Sequence, residues 1–108
     1  MINFIIYEDE ERMRKIYKEV INKFFYNNNQ SYKIIELASY EEYQKNKISE
    51  IEGKKIFLLD IDVPVKTGLE LAREIRESKD WHSQLIVITA NEDLKEKSLA
   101  SKMLMLDF

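Results

Sequence analysis

The chain has 108 residues, 44% of them apolar and 34% charged, with a formal net charge of −3. That is one soluble globular domain, too small to hold a catalytic domain and a separate substrate domain. Zero cysteines and one histidine, His82, exclude disulfides and thiolate metal sites and leave no basis for a zinc cluster.

The first element is the apolar run Phe4-Ile5-Ile6-Tyr7, which ends in the acidic pair Glu8-Asp9. A short, nearly all-apolar run bounded by polar residues reads as a strand buried on both faces of a parallel sheet. It is far too short, and runs too directly into acids, for a secretory signal. Met13, Ile16, Tyr17, Val20, Ile21, Phe24 and Phe25 then recur at alternating steps of three and one, which predicts one apolar helix face over about four turns. These aromatic residues belong to the core and not to a nucleotide-stacking surface. The polar run Asn27 to Ser31 breaks the helix, and Tyr32 to Ala38 reads as a second strand. Tyr40, Tyr43, Ile48 and Ile51 suggest a weaker helix with Gly53 as its C-terminal cap.

The third strand, Ile56-Phe57-Leu58-Leu59, ends at Asp60. Pro64 and Gly68 bracket the loop after it, and Leu69, Leu71, Ala72 and Ile75 mark a third helix. Trp81 and His82 fall in a loop. Leu85 to Ile88 form the fourth strand, ending at Thr89, and a short polar helix is expected from about Glu92. Met103-Leu104-Met105-Leu106-Asp107-Phe108 reads as the approach to a fifth strand cut off by the end of the sequence. Strict alternation of strand and helix implies a doubly wound parallel sheet, whose ligands lie outside the carboxyl ends of its strands.

If the first and third strands are neighbours, Glu8, Asp9 and Asp60 meet at one sheet edge. Carboxylates that close raise one another's pKa, so the cluster calls for protonation, basic partners or a hard cation, of which Mg²⁺ is the leading choice. The bland readings are a strand-ending turn for Asp60, a helix N-terminus for Glu8 and Asp9 with Asp9 as cap, and a cap shared with Asn91 for Thr89. No block of Lys and Arg stands apart from interleaved acids, so this segment is a poor holder of nucleic acid. Nothing reaches transmembrane length, and a cytoplasmic home is expected.

Three stretches together resemble the receiver domains of two-component response regulators, in particular the LytTR-type group that includes accessory gene regulator A. Phe4 to Glu10 is similar to that group's first strand and acidic pair. Asp60-Ile61-Asp62-Val63-Pro64-Val65-Lys66-Thr67-Gly68 is similar to the phosphoacceptor loop, with Pro four and Gly eight positions after the Asp. Ile86-Val87-Ile88-Thr89-Ala90 is similar to the strand whose terminal Thr or Ser contacts the phosphoryl group. The resemblance implies a flavodoxin-like, five-stranded receiver over residues 1–108 that takes a phosphoryl group on Asp60 from a sensor histidine kinase. It implies Mg²⁺ held by Glu8, Asp9, Asp60 and the backbone carbonyl of Asp62, and a phosphoryl contact from Thr89. Such a module is not an enzyme on other substrates; it controls an output, here expected to be a transcription-regulating DNA-binding domain outside this chain.

The family also carries a Lys in its fifth strand, past an Asp-aromatic step like Asp107-Phe108, and this sequence stops before it. Lys102 lies too early to replace it. The domain is therefore expected to be C-terminally incomplete, slow to be phosphorylated, and prone to homodimer formation or exchange of its last segment. Two rivals remain: a haloacid-dehalogenase-like phosphatase, whose strand-ending Asp-x-Asp motif also fits Asp60-Ile61-Asp62, and a pseudo-receiver that binds partners without phosphorylation.

Overall fold

The computed structural model describes residues 1–26, 30–90 and 103–107, the last group and Ala90 by their backbone alone. In chain order the elements are β1 (Ile2–Tyr7), α1 (Glu11–Phe25), β2 (Tyr32–Leu37), α2 (Tyr40–Lys45), a 3₁₀ turn (Ile48–Glu50), β3 (Lys54–Asp60), α3 (Gly68–Glu77), β4 (Gln84–Ala90) and β5 (Met103–Asp107). The sheet order is β2-β1-β3-β4-β5. The first four strands are parallel, with Tyr7 opposite both Leu37 and Leu59 and Asp60 opposite Ile88.

The all-apolar strands are explained by a layer on each face. Ile5, Tyr7, Phe57 and Leu59 pack with Leu71, Ala72 and Ile75 of α3, while Phe4, Ile6 and Ile88 pack with Met13, Tyr17 and Ile21 of α1. Successive side chains of one strand thus enter opposite cores, leaving no solvent-facing positions in the middle of β1. The four parallel strands and three helices are compatible with a flavodoxin-like fold. No described helix is long and apolar enough to cross a membrane.

Two expectations are corrected. β5 pairs with β4 antiparallel, Ile88 opposite Met105, so the sheet is not parallel throughout. A parallel return needs a crossover of about a dozen residues or more, usually with a helix, and residues 91–102 stand at that limit; an antiparallel return fills the same edge with less chain. The helix expected from Glu92 lies outside the described residues, as do Asn91, Lys102 and Phe108. The second helix is also shorter than its apolar spacing suggests. Asn46 ends α2 by turning its side-chain amide onto the Glu42 carbonyl at 2.7 Å, and Lys47 takes a left-handed φ of 47° before the 3₁₀ turn. Gly53, at φ 99°, serves the bend into β3 and caps no helix.

Val65 also sits at a positive φ, 71°, and is 94% exposed. A β-branched residue there is strained by about 1–3 kcal/mol, and glycine relieves it at an entropic cost of about 0.5–1 kcal/mol. Val65→Gly is therefore expected to raise the melting temperature by several degrees. A lower melting temperature would mean that this loop is not left-handed in solution.

Candidate functional site

The sheet order itself locates the site. The chain runs from β1 outward to β2, then jumps back across β1 to β3, so the order switches between β1 and β3, where a parallel sheet opens a crevice at its carboxyl ends. Glu8 follows Tyr7 and Asp60 follows Leu59, which are partners in the ladder; the two acids are the next rung. Alternation puts both side chains on the α1 face. Carboxylate oxygens of Glu8, Asp9 and Asp60 all lie within 4.8 Å of one another. Glu8 is 2% exposed and Asp60 8%, whereas Asp9 is open to solvent.

Several contacts hold the rim in place. Arg14 on the first turn of α1 donates to the Glu8 carbonyl at 2.7 Å, and a Glu8 carboxylate oxygen accepts from the Glu10 amide at 3.3 Å. The helix begins at Glu10 as its N-cap, with no side-chain cap, so the acid pair does not cap it in the way a strand-to-helix reading of Asp9 suggests. Past Asp60, the Ile61 amide donates to the Ile88 carbonyl at 3.0 Å, and Val63 is buried. The fully buried Tyr7 donates its hydroxyl to the Lys66 carbonyl at 2.6 Å, tying β1 to the loop after Asp60. Lys66 reaches Glu74 of α3 at 2.6 Å and lies over the Tyr40 ring of α2, 4.4 Å from its centroid.

α3 then starts with a reciprocal cap. The Thr67 hydroxyl accepts from the Glu70 amide at 3.1 Å while the Glu70 carboxylate accepts from the Thr67 amide at 3.0 Å. This Thr-x-x-Glu signature is visible in the sequence, although the loop motif draws the eye past it. Gly68 abuts the end of β3: a Cβ there would stand 2.7 Å from the Asp60 carbonyl carbon and 2.9 Å from that of Leu59. Tyr7, Glu74 and Tyr40 carry no comparable sequence signal, because partners tens of residues apart are brought together only by the fold.

Electrostatics set the chemistry. Burial, and then a hydrogen bond to Asp60 and its charge, push the Glu8 pKa up to about 9. Tyr17 of α1 is likewise raised, chiefly by burial and further by the charges of Glu8 and Asp60. An all-oxygen, carboxylate donor set suits a hard cation such as Mg²⁺ and not a thiophilic metal. The Asp62 carboxylate does not join the cluster; Asp62 lies in the exposed turn after β3. Thr89 is half-buried at the same sheet edge, one residue past Ile88, the ladder partner of Asp60. His82 stands elsewhere, its backbone amide donating to the Asp80 carboxylate at 3.0 Å in the α3–β4 loop.

No family model, curated protein or solved structure matches the chain.

The geometry separates Asp9 from Asp62 in a metal titration. Asp9→Ala is expected to abolish Mg²⁺ binding, and Asp62→Ala to leave it within about twofold, because few protein ligands hold a largely hydrated ion and each one counts. Equal loss in both variants would place the Asp62 side chain in the site.

Proposed function

We propose that this chain is a receiver domain of a two-component response regulator, doubly wound and LytTR-like, which takes a phosphoryl group on Asp60 from the phosphohistidine of a sensor kinase. The observation that carries the reading is the carboxylate trio at the switch in strand order, next to a loop whose Gly68 meets the backbone of Asp60. An Asp60 oxygen attacks the phosphorus, the P–N bond to the donor imidazole breaks, and the imidazole leaves with the bonding electrons and takes up a proton. Glu8 and Asp9, with Asp60 and the Asp62 carbonyl, would hold Mg²⁺, which when bound neutralises charge on the phosphoryl oxygens.

The chain's own residues supply the rest. Asp60 is held at a fixed position by β3 pairing and by α3 pressing on its backbone, which sets its carboxylate at the carboxyl end of the strand beside those of Glu8 and Asp9. Thr89, on the adjacent strand, offers a hydroxyl to the added group. Nearly two new negative charges beside Glu8 shift the balance of that edge, which is how such a module passes its state to an output domain outside this chain. The phosphatase reading needs the Asp62 carboxylate as a general acid, and the cluster that forms does without it. A pseudo-receiver would not need a carboxylate trio of this kind.

The test is incubation with a small phosphodonor such as acetyl phosphate and Mg²⁺, followed by peptide mapping. Label on Asp60 alone, labile to hydroxylamine and lost in Asp60→Asn, is the expected result. Label that persists in Asp60→Asn sinks the assignment.

A further inference from the structure

We infer that the outer edge of β5 pairs with the same edge of a second copy of this chain, joining two sheets into one continuous sheet. The inference stands apart from the phosphoacceptor reading and survives its failure.

β5 is the last strand in the sheet order, and all five of its residues are in antiparallel register with β4. In an antiparallel ladder, residues alternate between those that exchange both main-chain bonds with a neighbour and those that exchange none. Alternate residues of β5 therefore turn their N–H and C=O groups away from β4, and among the described residues no strand meets that side. Such an edge is a template for another strand.

The two edges of this sheet differ. β2, at the other end, carries exposed Lys33 and Glu36, and Glu36 is bridged from α1 by Arg14 at 3.3 Å and Lys18 at 3.1 Å. Charged side chains thus flank the β2 edge, a common device against strand addition. β5 reads Met-Leu-Met-Leu-Asp, with no Lys, Pro or Gly to blunt it.

A second copy is the occupant because an antiparallel edge is complementary to itself under a two-fold axis, the commonest symmetry of homodimers. Charge agrees with this. Pairing centred on Met105 sets position 107 opposite position 103 of the second copy, so the two Asp107 positions fall at opposite ends of the ladder, and the sequence from Met103 to Leu106 carries no charge. Five residues a side bury less than a standard interface, so the dimer is expected to be weak and concentration-dependent.

The experiment uses the 108-residue chain, with light scattering from about 5 to about 500 μM, a range that brackets a weak association, and amide exchange by NMR at both limits. A monomer–dimer equilibrium is expected. Those β5 amides that turn away from β4 should slow at least about tenfold on dimerisation, while the amides bonded to β4 are protected at both concentrations. Leu104→Lys and Met105→Lys should each weaken association at least about tenfold, with protection of Leu85 to Ile88 reporting that β4 keeps its pairing. A chain that stays monomeric throughout overturns the inference. So does a dimer in which the outward β5 amides exchange as fast as in the monomer, since the contact then lies elsewhere; this readout on the unaltered chain decides even if both Lys variants lose β5.

Discussion

Gly68→Ala is expected to lower the melting temperature by several degrees, although alanine is the better helix former. At an exposed helix position that exchange would gain up to about 1 kcal/mol. Here the added Cβ would lie 2.7 Å from the Asp60 carbonyl carbon and 2.9 Å from that of Leu59, closer than real Cβ atoms come to backbone. Neither neighbour is the end of a flexible side chain. The first turn of α3 must lift off the end of β3, breaking the seal made by Leu71 and Ala72 beneath it, at a cost of about 1–3 kcal/mol or more. The clash outweighs the propensity gain, and for a domain of this size each kcal/mol moves the midpoint by about 4–8 °C. The displacement also reaches Asp60 itself, so Mg²⁺ affinity should fall along with stability. A midpoint within about 2 °C of the original would show that α3 does not press on the β3 end in solution.

Without divalent metal, stability should fall as pH rises from about 5 to about 9, the reverse of most acid-bearing proteins. The Glu8 carboxyl is raised from an ordinary 4.5 to about 9 by burial and by Asp60 beside it. Between those values the folded chain holds a proton that the unfolded chain has released. Folded protein binding more protons means that the unfolding free energy decreases with pH across this window and levels off above it. The loss is on the order of a few kcal/mol, given about 1.4 kcal/mol per pKa unit and some return from relaxation of the site. Glu8→Gln should flatten the profile and exceed the original chain in stability at pH 8, because an amide keeps the hydrogen-bonding shape without the charge. If the trio holds Mg²⁺ as proposed, the added cation should act the other way on the unaltered chain, because it requires the ionised carboxylates: binding should release a proton, tighten with pH and recover the lost stability. Denaturant titrations at several pH values, with and without Mg²⁺, test both statements. A stability that is level or rising from pH 5 to 9 without metal would mean that Glu8 ionises as an ordinary exposed acid.

The acid pair after β1 and the Asp at the end of β3 are legible in the sequence because both follow short all-apolar runs. Such runs specify buried parallel strands by composition alone. The α1 stripe and the α3 stripe are legible for the same reason, as the periodicity of a helix is a local property. The spacing from Asp60 to Pro64 and Gly68 also announces a constrained loop. It does not say why glycine is needed: the backbone of Gly68 is not left-handed, and its requirement comes from contact with a strand end eight residues away. Nor does local sequence show that Val65 takes the left-handed conformation, which its type disfavours.

What the sequence by itself determined, then, is where β1 to β4, α1 and α3 lie, which of their faces are apolar, and that acids stand at the ends of two strands. Only the tertiary structure decided which strands are neighbours, and hence that Glu8 and Asp60 share one rung, where their mutual repulsion and burial hold a proton. It also decided the direction of β5, because Met103 to Leu106 has the composition of a buried strand in either orientation and main-chain hydrogen bonding fits both. The clamp from Tyr7 to Lys66 and the Lys66–Glu74–Tyr40 group belong to the tertiary structure for the same reason. Periodicity encodes burial, which each residue carries locally, whereas pairing is a property of two segments and is settled only when the chain closes on itself.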